Sequence, residues 1–166
     1  ARFECIQPMY NLVKRQAEVE ILPLALSEQM GVISYSPLGS GLLSGKYGPG
    51  MQAERGRLME NQMHRTRYSV PEYLDVAERF TAYAQARGLH PATLAVAWVM
   101  SNPAITAPIV GARNLEQLEA SLQAVEVAMT PEWRAEISAL SPEPPPATDR
   151  NEERLGIIYK GAKEKE

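Results

Sequence analysis

Residues 34–50, SYSPLGSGLLSGKYGPG, place five glycines and two prolines directly after an apolar run. Glycine-rich turns that follow strands are a common way of holding phosphate, so two standard loops can be tested by spacing. A P-loop needs a glycine five residues before its Gly-Lys pair and a Ser or Thr after it. Here Ser40 stands five residues before Gly45, and Tyr47 follows Lys46, so that reading fails twice. The dinucleotide fingerprint fails at Ser44, which leaves only the looser spacing of Gly39, Gly41 and Gly45. Gly48, Pro49 and Gly50 would also stop any helix opening there almost at once. The segment can touch phosphate, but neither standard loop accounts for it.

The elements that must position this segment are legible from periodicity. FECIQP reads as a strand by the third residue. Asn11 is expected to cap a helix carrying Leu12, Val13, Ala17 and Val19 that continues, kinked or split at Pro23, through Met30 to Gly31. VISYSP suits a buried parallel strand. From Pro37 to about Val70 no period persists, which points to a long functional or ordered-on-binding loop. A helix follows from Pro71, with Tyr73, Ala77, Phe80 and Ala84 on one face and Gly88 at its end. Pro91 opens a second helix that is apolar on nearly all sides, and AITAPIVG reads as a third strand. Asn114 and Gln117 resemble a capping box ahead of a stripe of Leu115, Leu118, Leu122 and Val125, and Thr130-Pro131 starts a last helix to about Leu140.

This alternation implies an α/β fold with parallel strands and right-handed crossovers. Three strands covered by helices on one side would leave the other face of the sheet bare. The organisation expected is a folded part over residues 1–140 and a Pro-rich, charged tail over 141–166.

Composition narrows the function classes. With 166 residues, 45% hydrophobic and 22% charged, the chain has the make-up of an ordinary globular protein with a real core. A net charge of −3 argues against a dedicated nucleic-acid binder. No apolar run approaches a membrane span, and the single Cys5 makes a reducing, cytoplasmic compartment the default. His64 and His90 have no Cys partners at metal-site spacing and read as a surface-loop and a helix-start histidine; Trp98 and Trp133 read as packing residues.

Three stretches carry a resemblance. CIQPMYN (5–11), YSPLGSGLLSGKY (35–47) and PIVGARNLEQLEASL (108–122), in that order with helical sequence between them, closely resemble the sixth, seventh and eighth βα units of an aldo-keto reductase. The resemblance implies the C-terminal part of a TIM (β/α)8 barrel, with the five N-terminal βα units absent and the site at the C-terminal ends of the strands. It further implies NADPH as cofactor and the reduction of aldehydes or ketones, with a small-molecule carbonyl substrate bound by the full-length parent. Gln7 matches the nicotinamide carboxamide contact and Tyr35 the ring stacked on the nicotinamide. Ser36, Leu38 and Ser40 match a strap over the pyrophosphate, with Gly41 and Gly45 giving it freedom. Gly111 and Arg113 precede a helix N-terminus, Arg113 at the position that favours the 2′-phosphate, and Gln117 falls near the same phosphate or the adenine. Ala120 and Ser121 depart from the family pattern of an acidic residue and an amide, so a lower affinity than the family norm is expected. The family's Tyr, Lys, Asp and His tetrad comes from earlier strands; no catalytic residue is assigned, and Tyr10, Tyr47 and Lys46 are not given those roles.

Three readings stay open: a reductase whose cofactor-binding part this chain carries, a regulatory nucleotide-binding subunit like the potassium-channel β-subunits of the same family, and an inactive truncated fragment. In the last, self-association or a partner chain would cover the bare sheet face.

Overall fold

A computed structural model of the chain describes residues 2–47, 56–68 and 70–145. The expected tail beyond residue 145 and the glycine-proline turn at 48–50 lie outside the described residues. Three short parallel strands, β1 (Cys5–Ile6), β2 (Gly31–Ser34) and β3 (Ala107–Pro108), form one sheet in the order β1-β2-β3. Cys5 pairs with Gly31, Ile33 with Ala107 and, past the strand ends, Met9 with Tyr35, so one register runs through the site end of the sheet. The third strand is shorter than AITAPIVG suggested: only Ala107 and Pro108 pair in register with β2, flanked by the Thr106 and Ile109 amides, which donate to the Val32 and Ser34 carbonyls.

Alternation along the strands separates two faces. Val32 and Ser34 are fully buried against the helices, whereas Ile33 is 37% exposed and Ile109 44%. Cys5, Gln7, Ile33 and Ala107 lie on this open side and are exposed. The expected bare face is therefore present.

Helix α4 (Pro71–Ala86) buries Val76, Ala77, Phe80 and Ala84, and Gly88 ends it at φ 68°. Helix α5 (Pro91–Met100) is buried from Pro91 to Val99 and forms the centre of the core, with Trp98 stacked on Tyr10 at 5.2 Å between ring centroids. Its first turn is capped by His90, whose Nδ1 accepts from the Ala92 amide. Helix α6 (Leu115–Leu122) is tied to α5 by the Thr93 hydroxyl donating to the Ala120 carbonyl, and α7 (Pro131–Ser138) is capped by Thr130.

The N-terminal helix expectation is corrected. Residues 11–14 form a tight turn, a 3-10 turn covers Gln16–Glu18, and the helix α1 spans only Ile21–Ser27. Pro23 sits in the first turn of α1, where its missing N–H costs nothing, so it marks a start and no kink arises. Asn11 caps no helix: it is fully buried, and its amide donates to the Ser36 carbonyl at 2.9 Å and the Tyr68 hydroxyl at 3.3 Å.

The segment after Pro37 is also more ordered than a loop. It holds a 3-10 stretch at Gly39–Ser44, then α2 (Arg57–Glu60) and α3 (Gln62–Tyr68). Among its described residues Leu42, Leu43, Tyr47, Leu58 and Tyr68 are buried in the main core, and these five anchors replace the long apolar period that a sequence reading looks for.

Candidate functional site

The segment after β2 bends sharply because several residues adopt left-handed backbone. Ser36 and Ser40 have φ 59° and 60°, beside Gly39 at 54°, Gly41 at 94° and Gly45 at 82°. A left-handed non-glycine residue carries a steric penalty, so both serines need outside support. Ser36 has its carbonyl bound by Asn11. Ser40 is buried, and its hydroxyl lies 2.7 Å from Nδ1 of His64. His64 is thus no surface-loop histidine: α3 presents it to the strap.

This strap forms one wall of a cavity of about 450 Å³. Tyr35, Ser36, Leu38, Ser40 and Gly41 line it, and Gly111, Arg113 and Gln117 line it from the other side. The structure therefore brings eight of the sequence-expected residues around one cavity, while Gly45 closes the strap outside the lining. Gln7 lies apart from that lining, exposed at the end of β1 on the open face of the sheet. It follows β1 directly, two residues before Met9, which bridges to Tyr35 at the start of the strap.

The second wall is shaped by the start of α6. Asn114 Oδ1 accepts from the Gln117 amide at 3.0 Å, and Gln117 Oε1 accepts from the Arg113 amide at 3.1 Å. This is a capping box displaced by one residue: the reciprocal bond reaches Arg113 rather than Asn114. It fixes the backbone that carries Arg113 while leaving its guanidinium outside the helix. The helix N-terminus adds a partial positive charge to this wall. Arg113 Nη2 pairs with Glu60 Oε2 at 3.0 Å, both side chains being about half exposed. Ala120 lines the cavity as a bare methyl, and Ser121, fully turned inward, donates its hydroxyl to the Gln117 carbonyl. Neither offers a polar group to a ligand at that end.

Sequence reasoning missed several cavity residues. Ser44, Lys46, Tyr47, His90 and Glu116 all line it. Lys46 and Tyr47 lie within the recognised stretch 35–47, so the available signal was their position directly after the strap. The Tyr47 hydroxyl has its pKa raised, first by burial, while the Leu58 backbone and Arg113 oppose the rise and Glu60 adds to it. The ion pair of Glu60 with Arg113 joins the last residue of α2 to the residues just before α6. His90 could not be assigned because its neighbourhood depends on α5 docking beneath the strap.

The cavity's chemistry fits an anionic ligand that carries a ring. Its lining offers the aromatic side chain of Tyr35, the hydroxyl-bearing Ser36 and Ser40 on turned backbone, and the cationic Lys46 and Arg113 beside a helix N-terminus. A volume of this size suits a small-molecule or nucleotide site. Among the described residues no cluster of three or more His, Cys, Asp and Glu side chains could hold a metal ion, and no helix is long and apolar enough to cross a membrane.

Known proteins share this arrangement of sequence. The profile of the Aldo/keto reductase family matches residues 1–142. An uncharacterized oxidoreductase of Bacillus subtilis, YrpG, is 33% identical over 83% of the chain, which corresponds to 40% of the relative. A probable voltage-gated potassium channel subunit beta of Oryza sativa subsp. japonica is 34% identical over 86% of the chain and 45% of its own length. The protein tas of Escherichia coli is 30% identical over 84% of the chain and 40% of its own length. The chain thus spans less than half the length of these relatives.

Proposed function

We infer, for a chain that belongs to the aldo/keto reductase family, that it forms the cofactor-binding part of an NADPH-dependent carbonyl reductase. The observation that carries this reading is the convergence of two distant stretches, Tyr35–Gly41 and Gly111–Gln117, on one cavity that Arg113 also lines. Its three parallel strands and covering helices are the C-terminal portion of a (β/α)8 barrel, and the exposed side of the sheet is the side that would face the barrel interior.

NADPH bound here would supply a hydride to a carbonyl carbon. Tyr35 would stack against the nicotinamide and set which ring face is presented, and Gln7 would hold the carboxamide. Ser36, Ser40 and the turned backbone between them would bind the pyrophosphate oxygens. Lys46 would add a point charge, and Arg113 and Gln117 would hold the phosphorylated ribose. No residue of this chain is assigned as proton donor to the carbonyl oxygen. The family's tyrosine, lysine, aspartate and histidine would have to come from further βα units, together with much of the substrate pocket.

The similarity to probable potassium channel subunits beta from rice and Arabidopsis favours a second reading, a nucleotide-binding regulatory subunit. Both readings share the cavity and differ in turnover. The test is equilibrium binding of NADPH to the 166-residue chain, alongside NADPH oxidation with a panel of aldehydes and ketones. Binding without oxidation is expected for the 166-residue chain alone, and turnover is expected when further βα units of the family are supplied. Enzyme-like rates from the highly purified chain would overturn the assignment of catalysis to other units. Lack of binding by folded chain would overturn the cofactor assignment.

A further inference from the structure

We propose that Glu60 is a specificity-determining residue of this cavity, set against Arg113 so that the pair balances 2′-phosphorylated against unphosphorylated nicotinamide nucleotides. This rests on the reading that the Arg113 end of the cavity receives the adenosine ribose.

Glu60 is the last residue of α2, a helix that packs on α3 and on the 3-10 stretch of the strap. Its Oε2 lies 3.0 Å from Arg113 Nη2, and the two side chains are 49% and 53% exposed. Arg113 lines the cavity, and Glu60 stands beside that lining as its ion-pair partner. The pair lies near Tyr47, a cavity residue whose hydroxyl is influenced by both charges.

A guanidinium has five N–H donors in a fixed fork, and one carboxylate oxygen at one nitrogen leaves donors for a phosphate. A 2′-phosphate brought to those donors would gain from Arg113 and be repelled by Glu60. A 2′-hydroxyl has the opposite preference, because it can donate to a carboxylate, the contact by which dinucleotide sites select unphosphorylated ribose. Arg113 alone would make the cavity a strong discriminator in favour of NADPH. With Glu60 beside it the discrimination narrows, and NADH becomes a competent ligand.

Equilibrium titration of the 166-residue chain with NADPH, NADH and adenosine 2′,5′-bisphosphate tests this, using Glu60→Gln, Arg113→Gln and the double variant. Removing the Glu60 charge is expected to tighten NADPH and the bisphosphate roughly three- to tenfold, the size of one partly screened charge at close range, and to weaken NADH a few-fold. Arg113→Gln should shift the balance the other way. Circular dichroism of the variants confirms folding, which two exposed side chains should not disturb. If Glu60→Gln leaves the NADPH to NADH affinity ratio unchanged while Arg113→Gln lowers it, the cavity reading stands and the role of Glu60 is overturned. If the folded wild-type chain binds none of the three ligands, the cavity reading fails and this inference falls with it.

Discussion

The Ser40 hydroxyl and Nδ1 of His64 share a hydrogen bond of 2.7 Å, which joins α3 to a serine held at φ 60° in the middle of the strap. The bond supports a conformation that an L-residue adopts at a cost, and it holds the wall of the cavity in place. His64→Ala should therefore weaken nucleotide binding by about two- to tenfold, the range of one net hydrogen bond. Calorimetric titration with NADPH checks this. An unchanged affinity would mean that the strap keeps its shape without His64.

Gly45 closes the 3-10 stretch at φ 82°, where a Cβ would meet Pro91 Cγ at 3.0 Å. Gly88 has φ 68° with nothing within 4 Å of an added Cβ. Gly88→Ala should cost only the left-handed penalty, roughly 1–2 kcal/mol, and Gly45→Ala should cost more because the strap must also move off α5. Urea unfolding of the two variants measures the difference. Equal losses would show that the Pro91 contact gives way freely.

Tyr10 anchors a buried polar cluster. Its hydroxyl bonds Glu18, accepts from Arg134 at 2.6 Å and from Asn102 at 3.2 Å, and Arg15 completes the group by pairing with Glu18 at 2.8 Å. Burial above all raises the Tyr10 pKa, opposed by the Arg134 charge and reinforced by Glu18. The folded state thus holds this proton more tightly than the unfolded chain, whose tyrosine titrates near 10.0. Stability is complete below that pH and falls as pH rises above it. Tyr68 and Tyr47, also raised mainly by burial, add to the same slope. Tyr10→Phe should cost about 1–3 kcal/mol at neutral pH through lost partners and should flatten the alkaline fall. Chemical unfolding at pH 8, 10 and 11 reads both effects.

Leu115, Leu122 and Val125 are 67%, 53% and 66% exposed, and Ile33 and Ile109 stand open on the sheet. The helical stripe legible at positions 115–125 is real, but its apolar side is uncovered. Apolar surface of this kind drives association, which stabilises by mass action. The melting temperature should rise with protein concentration, and Leu122→Lys with Val125→Lys should reduce that dependence. A concentration-independent melting temperature would show that the exposed face needs no cover.

Local signals carried α4 to α7 into the sequence reading because proline starts, glycine ends and capping side chains act within a few residues of one another. Asn11 shows where such signals mislead: its Oδ1 does accept from the nearby Val13 amide, but no helix starts there, and its amide nitrogen donates to Ser36 and Tyr68, 25 and 57 residues away. The segment from Pro37 to Val70 was opaque for the same reason. Its described parts are held by Leu42, Leu43, Tyr47, Leu58 and Tyr68 reaching the core and by His64 meeting Ser40, contacts without sequence periodicity. The cavity lining was legible where a resemblance fixed each position, as at Tyr35 and Arg113. It was not legible at His90, which lines the cavity through the packing of α5, nor was the pairing of Glu60 with Arg113 beside it, which depends on the packing of α2.

The most direct test of the central claim is a titration of isotopically labelled chain with NADPH, following backbone amide shifts by NMR. Saturable shifts at both Ser36–Gly41 and Gly111–Gln117, larger for NADPH than for adenosine 2′,5′-bisphosphate at Tyr35, are the predicted result. Shifts confined to other surfaces, such as the groove at Arg87, Leu89 and Trp133, or no saturable shifts in folded chain, would contradict it.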